Sequence, residues 1–142
     1  MTSMTEMRIK ADGKWYWGDN EIFRPEILRL FASHLVRRES GYFIEMNGQT
    51  YPVTVDDAPF VADAVWPEGA ELQMRLVDTR VLPFPPGEIM LRDGKPYTSL
   101  DQPGDIRLSR AAFWQLAPYL QENDGSYEFT YGDKHWSVQE AR

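Results

Sequence analysis

The run from Tyr42 to Val53 recurs 85 positions on, from Tyr127 to Val138, and this repeat constrains the fold more than any single motif. Large apolar residues coincide at every second position. Tyr42 matches Tyr127, Ile44 matches Phe129, Met46 matches Tyr131, Tyr51 matches Trp136 and Val53 matches Val138. Strict alternation on both sides of a two-residue turn predicts a β-hairpin in each copy. Asn47-Gly48 suits a type I′ turn, which needs positive φ at both central positions, and Gly132-Asp133 supplies a comparable turn through its glycine.

The same offset reaches back into a helical pattern. Ile27, Leu28, Phe31, Ala32 and Leu35 form one stripe on a 3.6-residue wheel, and Ala112, Phe113, Leu116, Ala117 and Leu120 repeat it. Pro25 fits a first helical position and Ser109 fits an N-cap. Pro118 predicts a kinked or shortened second helix, and Gly41 and Gly125 are placed as left-handed residues past the two helix ends. Upstream, Asp12-Gly13-Lys14-Trp15-Tyr16 and Asp93-Gly94-Lys95-Pro96-Tyr97 share a turn followed by a strand.

These patterns predict an α+β fold. It is expected to hold internally duplicated helix-plus-antiparallel-hairpin units, with two curved antiparallel sheets each packed on one helix. Residues 1–142 are expected to form a single compact domain of two repeats, about 8–66 and about 88–140. Residues 67–87 connect them through a strand and a Pro-rich linker around Leu82 to Gly87. Phe60 to Trp66 and Glu71 to Asp78 read as strands.

Composition narrows the function classes. The absence of cysteine excludes disulfides, thiolate metal sites and cysteine nucleophiles. A net charge of −7 argues against bare nucleic acid as a partner, since that affinity comes largely from Lys and Arg on phosphates. No apolar run approaches a membrane span, and Met1 to Lys10 carries no hydrophobic core of the signal-peptide kind. A cytoplasmic location without membrane contact is the expectation.

Phosphate-cradling glycine loops, a Gly-x-Ser-x-Gly elbow and calcium-loop spacing are all missing from the sequence. No catalytic set, cofactor or metal site is therefore expected. His34 is placed at the boundary of the apolar stripe, and His135 is expected to face solvent or the other face of its sheet. Asp56-Asp57 reads as a turn, because adjacent carboxylates on extended chain point apart. Trp15 and Trp17 should share one strand face and Tyr16 the other. The local concentration of positive charge is Arg24, Arg29, Arg37 and Arg38, placed together on the first helix. These four are the candidate contacts for an anionic ligand or phosphorylated partner.

The words of the first half also resemble a known family. Arg29-Leu30-Phe31-Ala32, Leu35, Arg37-Arg38-Glu39 with Gly41 and Tyr42, the segment from Val53 to Ala62, and the Asp12-Gly13-Lys14-Trp15 opening are similar to the bacterial domain of unknown function 1285 family. The resemblance covers about residues 8–66 best. It implies a duplicated α+β fold and a role in signal transduction, and it carries over no catalytic residue. The tight Asn47-Gly48 turn is shorter than the connection the family pattern leads one to expect.

The functional expectation is a non-catalytic binding or regulatory module whose partner is a protein or a small anionic ligand. Exposed sheet edges add strand addition or homodimerisation as routes. Two alternatives stand beside it: a small hydrolase or isomerase using carboxylates such as Asp56 or Asp57, and a structural subunit of an assembly.

Overall fold

The computed structural model describes residues 6–141, so the opening of the Met1 to Lys10 segment lies outside it. The chain divides into two compact units, Met1–Pro59 and Phe60–Arg142.

The first unit begins with three short strands, β1 (Met7–Ile9), β2 (Trp15–Trp17) and β3 (Asn20–Ile22). Helix α1 (Pro25–Ser33) follows, then β4 (Leu35–Arg38), β5 (Gly41–Met46) and β6 (Gln49–Val55). One six-stranded sheet results, in the order β3-β2-β1-β6-β5-β4. β1 lies parallel to β6, with Met7 opposite Val53, and the other neighbours are antiparallel. Asn47 (φ 52°) and Gly48 (φ 74°) both take the left-handed conformation that joins β5 to β6, as the type I′ turn requires. Leu28 and Ala32 of α1 are buried, and Phe31 packs on Trp15 with ring centroids 6.3 Å apart.

The second unit opens with β7 (Phe60–Glu68), β8 (Glu71–Leu76) and β9 (Val81–Pro83). Then come β10 (Gly87–Arg92), β11 (Lys95–Thr98), β12 (Ile106–Leu108) and helix α2 (Arg110–Gln115). A 3₁₀ turn at Ala117–Tyr119 leads to β13 (Leu120–Asn123), β14 (Ser126–Tyr131) and β15 (Lys134–Glu140). These make a nine-stranded sheet, β13-β14-β15-β10-β11-β12-β7-β8-β9, parallel at β10–β15 and at β12–β7. Leu82 to Gly87, read from the sequence as a connecting segment, completes β9 and then lays Phe84 on Trp136 at 5.3 Å. The Trp136 indole N–H donates to the Pro85 carbonyl at 2.6 Å, so this buried ring has its polar atom satisfied.

The expected α+β architecture is overturned. Strands hold 54% of the described residues and helices 13%, in two mixed sheets rather than two antiparallel ones. The helices are short for local reasons. In α1 both the Ser33 hydroxyl and His34 Nδ1 bond the Leu30 carbonyl, and such side-chain bonds compete with further helical turns. In the second unit Pro118 has no N–H to give and its ring conflicts with the carbonyl four residues back, so α2 stops at Gln115. Leu35 and Leu120 fit the helical stripe by spacing, yet both begin strands. Gly41 and Gly125 accordingly sit at hairpins, not past helix ends.

Six strands of the second sheet follow the order of the first, β13-β14-β15-β10-β11-β12 against β4-β5-β6-β1-β2-β3. The units are still not equivalent helix-packed copies. The second has three further strands, and its helix is six residues long against nine.

Candidate functional site

The second unit holds an apolar cavity of about 430 Å³ beside α2. Its floor is the sheet face of Leu91, Phe129 and Val138, and its roof is Phe113, Trp114 and Ala117. Leu120 and Tyr127 form the remaining wall. β14 places Phe129 beneath α2, where it meets Phe113 edge-on at 6.0 Å. Cross-strand pairing then sets Leu120 opposite Phe129, and Glu122 opposite Tyr127. The truncated helix leaves Trp114, Leu120 and Tyr127 at 66%, 46% and 50% exposure. Large apolar groups held in water around a concave apolar floor favour any apolar group that covers them, by about 2.5 kcal/mol per 100 Å² removed from water.

What fixes the cavity is equally specific. Ser109 caps α2 by accepting from the Ala112 N–H, and Gln115 Oε1 accepts from the Val65 N–H at 2.7 Å, next to a β-bulge in β7. The 3₁₀ turn is held by Tyr119, whose ring meets Tyr131 edge-on, while the Tyr131 hydroxyl donates to the Gly69 carbonyl.

Two smaller recesses lie among the described residues of the first unit. One, about 190 Å³ and apolar, lies among Met7, Trp17, Phe31, Ile44, Met46 and Tyr51. The other is a polar cleft of about 290 Å³ lined by Glu6, Arg8, Lys10, Tyr16, Gly18 and Asp19.

The four arginines do not share one helix. Arg24 is the N-cap residue of α1, 3.8 Å from the Glu26 carboxylate, and Arg29 is on the helix. Arg37 and Arg38 belong to β4, where consecutive side chains point to opposite faces. Arg37 lies over the Tyr42 ring, and Arg38 pairs with Glu45 at 2.7 Å on the other face. Asp56 is 3.3 Å from Arg8. His34 closes α1, and His135 sits 3.6 Å from Glu128 on the exposed face of its strand. Trp15 is buried, Trp17 lines the small apolar recess, and Tyr16 lies under Lys10 on the opposite face.

Among the described residues no group of three or more His, Asp or Glu side chains could hold a metal, and no helix is long and apolar enough to cross a membrane. Sequence reasoning missed the large cavity. The readable signal was Trp114, an aromatic standing where the first helix carries Arg29, on the face away from the stripe.

Residues 1–58 match the domain of unknown function (DUF1285), N-terminal domain. The crystal structure of a DUF1285 family protein from Silicibacter pomeroyi DSS-3 is similar to the chain with a TM-score of 0.65 and 23% identity, over 93% of this chain and 78% of that one. A DUF1285 family protein from Shewanella baltica OS155 superposes with a TM-score of 0.46 and 15% identity, over 93% and 82%. No curated protein matches the chain.

Proposed function

We propose that this chain, a relative of the DUF1285 family, is a binding module that captures an apolar group in the cavity beside α2. The carrying observation is the cavity itself, about 430 Å³, walled by apolar side chains and rimmed by the exposed Trp114, Leu120 and Tyr127. That volume lies in the range of sites that enclose small ligands or a partner's anchoring side chain. The polar side-chain atoms of this wall are the Tyr127 hydroxyl and the Trp114 indole N–H, and the rest is hydrocarbon, so it selects chiefly by shape and burial. A module that reports the presence of its ligand fits the signalling role that the family resemblance implies.

The test is a titration with the apolar dye 8-anilinonaphthalene-1-sulfonate. The wild-type protein is expected to give a saturable fluorescence rise with one strong site, lost about tenfold in affinity in Trp114→Arg. Dye binding that is absent, or unchanged in that variant, would contradict the proposal.

A further inference from the structure

We infer that the occupant of this site is an extended basic–apolar peptide segment of a partner protein, added antiparallel to the edge strand β13. The inference rests on the cavity reading above and adds the neighbouring backbone. β13 is the terminal strand of the nine-stranded sheet, and all four of its residues are exposed. Asp124 (φ 54°) and Gly125 (φ 83°) make a two-residue turn between β13 and β14, with Asn123 opposite Ser126. In such a hairpin the residues flanking the turn form a hydrogen-bonded pair, and the pairs then alternate. Asn123 and Gln121 therefore bond inward to β14, while Leu120 and Glu122 turn their backbone groups outward. The Leu120 N–H is taken by the Ala117 carbonyl. Three groups remain for an incoming strand: the Leu120 carbonyl, the Glu122 N–H and the Glu122 carbonyl.

The side chains of the same two residues define the partner. Leu120 lies on the cavity face, opposite Phe129, and Glu122 lies on that face opposite Tyr127. An antiparallel segment sets one residue against Glu122 and the residue two further on against Leu120. Charge complementarity requires Lys or Arg at the first position, and apolar burial requires a large side chain at the second. The pattern is basic-x-apolar, and the net charge of −7 favours approach of a basic segment. The corresponding edge of the first sheet, β4, is instead guarded by Arg37 and Arg38, a usual defence of edge strands.

The experiment is fluorescence anisotropy with a labelled Gly-Ser-Lys-Thr-Phe-Thr-Ser peptide and its counterpart bearing Asp in place of Lys. The lysine peptide is expected to bind at least tenfold more tightly than the aspartate peptide. Glu122→Pro removes the outward donor but no bond of the β13–β14 ladder, and should lower peptide affinity at least tenfold while dye binding persists. Glu122→Lys keeps that donor and should reverse the preference between the peptides. Dye binding without peptide binding, equal binding of both peptides, or binding indifferent to Glu122→Pro would overturn the inference while leaving the cavity reading intact. Loss of dye binding in the wild-type protein would instead remove the cavity reading. A dimer in sedimentation that Glu122→Pro dissociates would replace the peptide with a second copy of the chain.

Discussion

The two units expose different sides of their helices, although six strands run in the same order in both. In the first, Tyr51 stands opposite Ile44 and borders the small apolar recess. In the second, Trp136 stands at the matching place opposite Phe129, and Phe84 covers it. The chain after β9 thus fills a position that the first unit leaves concave. On the other side of the helix the relation is reversed. There α1 continues to Ser33, whereas α2 ends at Gln115 and leaves the larger cavity open. A common strand order therefore does not fix where a binding surface arises. The segments laid over the sheet decide it.

The largest way to break this comparison is to remove the two matching aromatics. Trp136→Ala should destabilise the protein by about 3–5 kcal/mol, since it empties a buried, stacked and hydrogen-bonded site. Tyr51→Ala, at a position 40% exposed, should cost about 1 kcal/mol or less. Chemical denaturation of both variants measures the difference, and equal losses would mean that Phe84 does not seal the second unit. A smaller effect comes from the helix starts. Ser109→Ala removes the cap of α2 and should cost about 1 kcal/mol. The smallest is a gain. Arg24 gives α1 no side-chain cap, so Arg24→Ser should stabilise by about 0.5–1 kcal/mol in thermal unfolding followed by calorimetry.

Short-range chemistry was legible in the sequence. The Asn47-Gly48 turn, the two strands that meet at Gly69, the Ser109 cap and the shortening of α2 by Pro118 all follow from local residue properties, and the structure has each of them. Helix ends were not legible, because Leu35 and Leu120 satisfy both a 3.6-residue and a two-residue period. That ambiguity carried Arg37 and Arg38 onto a helix in the sequence reading, while the strand sends them to opposite faces. Parallel pairings such as Met7 with Val53 join residues far apart in the chain and leave no periodic trace. The cavity arises where a helix stops early, so its walls are scattered from Leu91 to Val138 with no spacing of their own.

The central claim is that the site beside α2, rather than either recess of the first unit, takes up apolar groups. Its most direct test is a methyl and indole NMR titration of the intact protein with 8-anilinonaphthalene-1-sulfonate. Saturable shifts concentrated on Leu91, Trp114, Leu120 and Val138 are the predicted result. Shifts gathered instead on Met7, Trp17, Ile44 and Met46, or none that saturate, would contradict it.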